Sequence, residues 1–324
     1  MSLLKNRPIV QNTMSNYDRR KMSIRIGVIG VGYLGQHHVR IFSEMEDAEL
    51  VAVSDTHESR SSDIARIYGC KSFENYKDMM GECDALSIVT PTTTHHEIAM
   101  DCLRAGKDIL IEKPITVNIG QARDIIEQAA RRNLILQVGH LERYNPAIAV
   151  AAEMIREPRF IESERLSPFL GRGTDVDVTL DLMIHDVDIV MSIVGSRMKD
   201  IRAIGESVIT EKIDVAKAWI EFENGFKALI TASRLSPEKR RVMKIFQKDA
   251  YILVDYQSQE VRRFFKNGSG ISCDVIKPEN REPLREELKD FVDCVKTRKN
   301  PRVSGTEAMS ALETVLTITE MVRA

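Results

Sequence analysis

The chain has 324 residues, of which 43% are hydrophobic and 29% charged, enough for two domains with separate cores. A net charge of −2 excludes the one-signed surface of a nucleic-acid or membrane-surface binder. Five scattered cysteines without finger spacing point to reduced thiols in the cytoplasm and to no structural metal, and no apolar run nears the ~18 residues of a membrane span.

Residues 1–22 are polar and lack the apolar segment of a signal peptide, so they are read as a flexible extension, with Met22 a candidate start. From there the pattern alternates. Short apolar runs at 25–29, 50–54, 85–89, 108–111 and 134–138 suit buried strands, and helical stretches fall at 36–45, 97–105 and 119–132. Asn118 with Gln121 three residues on predicts a capping box for the last of these. Alternation of this kind predicts a Rossmann-type, doubly wound parallel sheet over residues 23–141.

Residues 142–324 predict an α+β domain with an open, mostly antiparallel sheet. Residues 159–166 read as extended and 178–194 as an apolar helix. Asn224-Gly225 between 215–223 and 226–233 is a strong hairpin signal, and 242–247 with 250–256 form a second pair. Helices at 283–296 and 306–322 are expected to cover this sheet. Trp219, Phe222, Leu229 and Ile230 alternate so as to place apolar groups on both sheet faces, which predicts a homodimer or homotetramer built through the sheet.

The chemistry-bearing residues follow the same order. Gly30-Val31-Gly32-Tyr33-Leu34-Gly35 lies between a strand and a helix, the context in which glycines cradle a pyrophosphate; alone, the same pattern is an ordinary turn. Asp55 ends the next strand, where it would accept a ribose hydroxyl and repel a 2′-phosphate, favouring NAD over NADP. Thr90-Pro91 and His95 read equally as a cofactor wall or as a capped helix start. His37-His38 and His95-His96 lack a supporting cluster of carboxylates or thiols, so no metal is expected.

Glu112-Lys113-Pro114 ends a buried strand, placing an amine at the sheet edge where ligands bind. Asp181, His185 and Asp188 stand at i, i+4 and i+7 of the apolar helix, where Asp181 would orient the His185 imidazole. A satisfied core histidine explains that spacing as well as a catalytic one does. Arg172, Arg234 and the basic residues 239–241 are either diphosphate ligands or solvated loop charges.

Taken together with Arg143-Tyr144-Asn145-Pro146, these motifs in this order resemble the Gfo/Idh/MocA family of oxidoreductases, from Met22 to the C-terminus. The resemblance implies NAD(P)-dependent oxidation of a sugar or cyclitol hydroxyl. It implies that Lys113 and His185 form the catalytic pair with Asp181 beside them. It places Gly30, Gly32, Tyr33, Leu34, Gly35, Asp55, Thr90, Pro91, His95, Glu112, Lys113, Pro114 and Arg143 around the cofactor, with Glu112 and Pro114 in the nicotinamide wall. Residues 170–177 depart from the glycine run common in the family, which puts inositol and glucose in doubt as substrates. The stretches 180–188 and 233–241 are most similar to the nucleotide-sugar branch that acts on UDP-N-acetylglucosamine at its 3-hydroxyl. There Lys113, Arg172, Asp181, His185 and Arg234 would face the substrate. Two alternatives stand beside it: a dehydrogenase of a free sugar or cyclitol, and a non-catalytic dinucleotide-binding sensor. The sensor needs no proton-transfer set, and this chain carries one.

Overall fold

The structure, a computed structural model, describes residues 23–169, 171 and 176–324. The extension expected at 1–22 lies outside the described residues. No helix among them is long and apolar enough to cross a membrane.

The first half alternates as the sequence predicts. Strands β1 (Ile24–Ile29), β2 (Ala48–Ser54), β3 (Lys71–Phe73), β4 (Ala85–Ile88), β5 (Asp108–Glu112) and β6 (Leu136–Gly139) form one parallel sheet in the order β3-β2-β1-β4-β5-β6. Helices α1 (Tyr33–Glu44), α2 (Glu58–Tyr68), α3 (Tyr76–Met79), α4 (Thr92–Arg104) and α5 (Ile119–Arg132) connect the strands. The strands β4, β5 and β6 are buried along their whole length, as a parallel sheet covered on both faces requires. Asn118 caps α5 by accepting from the Gln121 N–H, although Gln121 does not return the bond. The reciprocal box occurs at Ser304 and Glu307 instead.

A short helix α6 (Pro146–Met154) leads into β7 (Pro158–Leu166). The expected helix at 178–194 opens as a π-turn, Thr179–Met183, and continues as α7 (Ile184–Val194). Strands β8 (Met198–Glu206), β9 (Val215–Phe222), β10 (Lys227–Ser233), β11 (Arg240–Gln247), β12 (Ala250–Asp255), β13 (Glu260–Asn267) and β14 (Gly270–Ile276) join β7 in an eight-stranded sheet ordered β14-β13-β12-β11-β7-β10-β9-β8. All its pairings are antiparallel except β7 with β10. Gly225 takes φ +82° in the β9–β10 turn, a conformation that costs any residue with a Cβ.

Of the late helices α8 (Pro283–Thr297) and α9 (Gly305–Arg323), only α9 packs against the second sheet as expected. The correction concerns α8. Its Leu284, Leu288, Phe291, Val292 and Val295 join Ile26, Val28 and Leu110 of the parallel sheet in one apolar cluster. Amphipathic spacing predicts a buried stripe but not which surface covers it.

A buried ion network locks α7 to the second sheet. Arg165 on β7 donates to Asp186 (2.5 Å) and to Glu142 (2.9 Å), all three being shielded from solvent. The Arg165 guanidinium also lies 5.3 Å from the Tyr256 ring centroid. Such a network is costly to desolvate and far costlier to leave half-made.

Phe222 and Ile230 point inward and are buried, while Trp219 and Leu229 stay half-buried on the outer face. An aromatic ladder continues across that outer face: Trp219–Phe160, Phe160–Phe246, Phe246–Tyr251 and Tyr251–Phe264 have ring centroids 5.8, 5.6, 5.1 and 5.0 Å apart.

Candidate active site

The turn after β1 is forced by close approach. Gly30 has φ +87°, and a Cβ on Gly35 would lie 1.9 Å from the Gly30 carbonyl oxygen. A Cβ on Gly32, by contrast, would meet nothing within 4 Å, so the backbone there is open to a ligand at the α1 N-terminus. Asp55 lies at the end of β2 and accepts from Val31 N (3.0 Å), His57 N (2.9 Å) and the Arg60 guanidinium (3.2 Å). Burial opposes its charge, but these donors prevail and hold the carboxyl below its ordinary range. An open backbone at a helix N-terminus beside an ionised aspartate fits an extended NAD.

His95 joins two loops, its ring nitrogens 3.0 Å from the Pro114 carbonyl and 2.9 Å from the Thr90 carbonyl. It therefore positions Thr90, Pro91 and Pro114. Glu112 turns inward rather than into the expected wall: its carboxylate lies 3.3 Å from His38 Nε2 and accepts from Lys113 N at 3.2 Å.

A cavity of about 660 Å³ opens between the two sheets. Tyr33 and Leu34 line it from the first half, with Lys113 at the end of β5. Asp181 and His185 enter from the π-turn and α7, and Arg234, Lys239 and Arg241 from the β10–β11 region. The strand-end lysine and the paired Asp and His therefore do converge.

Their partnership differs from the expectation. Asp181 does not hold His185; it accepts from Lys113 Nζ through its carbonyl (2.7 Å) and Oδ1 (3.2 Å). The wide π-turn breaks the 3.6-residue period on which a shared Asp181–His185 face depended. His185 is buried, and its Nδ1 has no hydrogen-bond partner among the described residues. Burial, and then the nearby cations Lys113 and Arg165, push its pKa well below the usual imidazole range. At neutral pH it is an uncharged acceptor.

Among the basic residues, Arg234 is buried and donates to the Val176 carbonyl (2.6 Å) with Asp214 3.8 Å away. Arg241 also lines the cavity. Burial and then Arg165 depress its pKa, and its neighbour Glu142, 3.6 Å away, is already engaged by Arg165. An anion entering there relieves both effects. Arg172 lies outside the described residues. Arg143 is not in this cavity: the turn Leu141–Tyr144 carries it to Glu307 (2.9 Å) and Asp188 (3.8 Å).

Residues 24–140 match the model of an oxidoreductase family described by its NAD-binding Rossmann fold, and residues 154–252 match a GFO/IDH/MocA C-terminal domain. The chain is 34% identical to a UDP-N-acetylglucosamine 3-dehydrogenase of Acidithiobacillus ferrooxidans, covering 93% of this chain and 98% of that one. The solved structure of that relative superposes with a TM-score of 0.88. A scyllo-inositol 2-dehydrogenase (NAD(+)) of Bacillus subtilis is 28% identical over 93% of this chain and 94% of its own. A levoglucosan dehydrogenase solved with NADH and levoglucosan is 17% identical, covers 93% and 97% of the two chains, and shares the fold at a TM-score of 0.86.

Proposed function

The chain belongs to the Gfo/Idh/MocA family of NAD-binding oxidoreductases, and from that premise we propose that it interconverts a nucleotide-sugar hydroxyl and its ketone, with UDP-N-acetylglucosamine oxidised at the 3-position. The observation that carries the proposal is the cavity's lining. The proton-handling pair Lys113 and His185 shares one cavity with three cations, Arg234, Lys239 and Arg241. A diphosphate offers the charge-assisted bonds such a wall is built to make, and a free sugar or cyclitol does not. The cavity volume falls within the usual range for small-molecule sites.

Bound NAD would lie on Gly30, Gly32, Gly35 and Asp55 and supply the hydride acceptor. The chain's own residues handle the proton. Lys113 Nζ, steadied by Asp181, meets the reacting hydroxyl. His185, kept neutral by burial, takes the proton from the Lys113–hydroxyl pair and returns it in the reverse direction. The test is a panel of UDP-sugars, free hexoses and inositols with NAD, followed by nicotinamide absorbance. UDP-N-acetylglucosamine should lead in kcat/KM, and equal turnover of free N-acetylglucosamine or inositol would remove the nucleotide from the proposal.

The same proposal extends to assembly. The outer aromatic ladder from Trp219 to Phe264 is an apolar face with a second copy of the chain as its natural cover. Light scattering at micromolar concentration should give at least two chain masses, and a single chain mass would count against the interface.

A further inference from the structure

Behind the catalytic pair lies a second set of buried groups that the mechanism above does not use. His140 follows β6 and is almost fully enclosed, with neither ring nitrogen bonded among the described residues. Its ring packs edge-on against His185, the centroids 6.3 Å apart, close enough for one bridging water. His140 Nδ1 also lies 3.9 Å from Asp188 Oδ2, a buried oxygen with no hydrogen-bond partner among the described residues. Asp188 in turn lines a separate cavity of about 170 Å³ with Arg143, Met191, Ser192, Thr306, Glu307 and Ser310. Ser192, Thr306 and Glu307 are exposed, so this cavity reaches solvent away from the sugar site.

We propose that His185, His140 and Asp188 form a proton relay that carries the substrate proton out through the Arg143–Glu307 cavity. The inference rests on the dehydrogenase reading above. Oxidising one hydroxyl sends hydrogen and an electron pair to NAD as hydride, forms the carbonyl, and leaves one proton on the protein per turnover. A bound sugar and cofactor would cover Lys113 and His185 on the main-cavity side and leave a proton held there no direct way to bulk water until product leaves. The relay removes it from behind. His140 accepts on one ring nitrogen and donates from the other, changing tautomer without a lasting charge. That suits a site where burial, and then Lys113, hold its pKa down at about 3. Burial pushes Asp188 up to about 7, against the pull of Arg143 and with a push from Glu307. A carboxyl so placed both takes and releases a proton near neutral pH.

The experiment is a single turnover of UDP-N-acetylglucosamine with NAD in weak buffer, following NADH absorbance and a pH indicator together. In the wild type, proton release should keep pace with NADH. In Asp188→Asn, which cannot pass a proton, release should lag NADH by about a hundredfold or more, the low edge of what positioned proton-transfer groups contribute. Ser192→Trp, which narrows the outer cavity and leaves the His140 and Asp188 groups themselves in place, should produce the same lag with NAD affinity unchanged, and it decides the matter if Asp188→Asn does not fold. Proton release that tracks NADH in these variants overturns the relay while leaving the dehydrogenase reading intact. If the wild type makes no NADH from UDP-N-acetylglucosamine, the dehydrogenase reading fails and the relay falls with it.

Discussion

Replacing Lys113 by Ala should lower turnover by about 10²–10⁴-fold, the usual contribution of a positioned proton-transfer group, while NAD still binds. Lys113 ends β5, and its amine reaches across to the π-turn, bonding both the carbonyl and the carboxylate of Asp181. The substitution removes the group proposed to meet the substrate hydroxyl and leaves Gly30, Gly32, Gly35 and Asp55, which would hold the dinucleotide, untouched. Stopped-flow turnover with a parallel fluorescence titration of NADH checks both halves. Wild-type-like turnover would remove Lys113 from the mechanism. Loss of NADH binding as large as the loss of rate would make its role one of cofactor attachment.

Arg165→Ala is expected to destabilise the fold by about 3–5 kcal/mol, because it leaves the buried carboxyls of Glu142 and Asp186 without the cation that bonds them both. Burial opposes the charge of Glu142, but the Arg165 guanidinium prevails and holds its carboxyl below the usual range, and Asp186 accepts from the same guanidinium. Asp186 immediately follows His185 on α7, so the loss should also blur the position of the catalytic imidazole. Urea denaturation measures the first effect, and a change under about 1 kcal/mol would mean that the carboxylates find other partners or protonate cheaply. Replacing all three residues by apolar ones of similar volume should cost much less, since no charge is then left buried.

Most of the local structure is written in the sequence. The glycine turn, the strand ending at Lys113 and the Asn224-Gly225 hairpin each rest on a backbone requirement that few residues meet, and all three stand where their residues indicate. What was not legible depends on distance. The hairpin β13–β14 was missed because its second strand is almost wholly exposed and carries little alternation to read. The cover that α8 places on the parallel sheet is invisible to periodicity, which names a stripe and no partner. The π-turn inserts a wider coil into a segment with an unbroken apolar helical pattern, and Asp181 within it bonds Lys113 rather than His185. His140 carried no signal at all. Its meaning comes from standing between His185 and Asp188, residues far from it in the chain.

The most direct measurement uses UDP-N-acetylglucosamine carrying deuterium at C3 of the sugar. Incubated with the enzyme and NAD, it should give reduced nicotinamide bearing the deuterium and a 3-oxo sugar still attached to UDP, one for one. Deuterium retained in the sugar while NADH forms would place the oxidation at another carbon. Absence of any NADH from the UDP-sugar, with a free sugar or cyclitol oxidised instead, would contradict the nucleotide-sugar account.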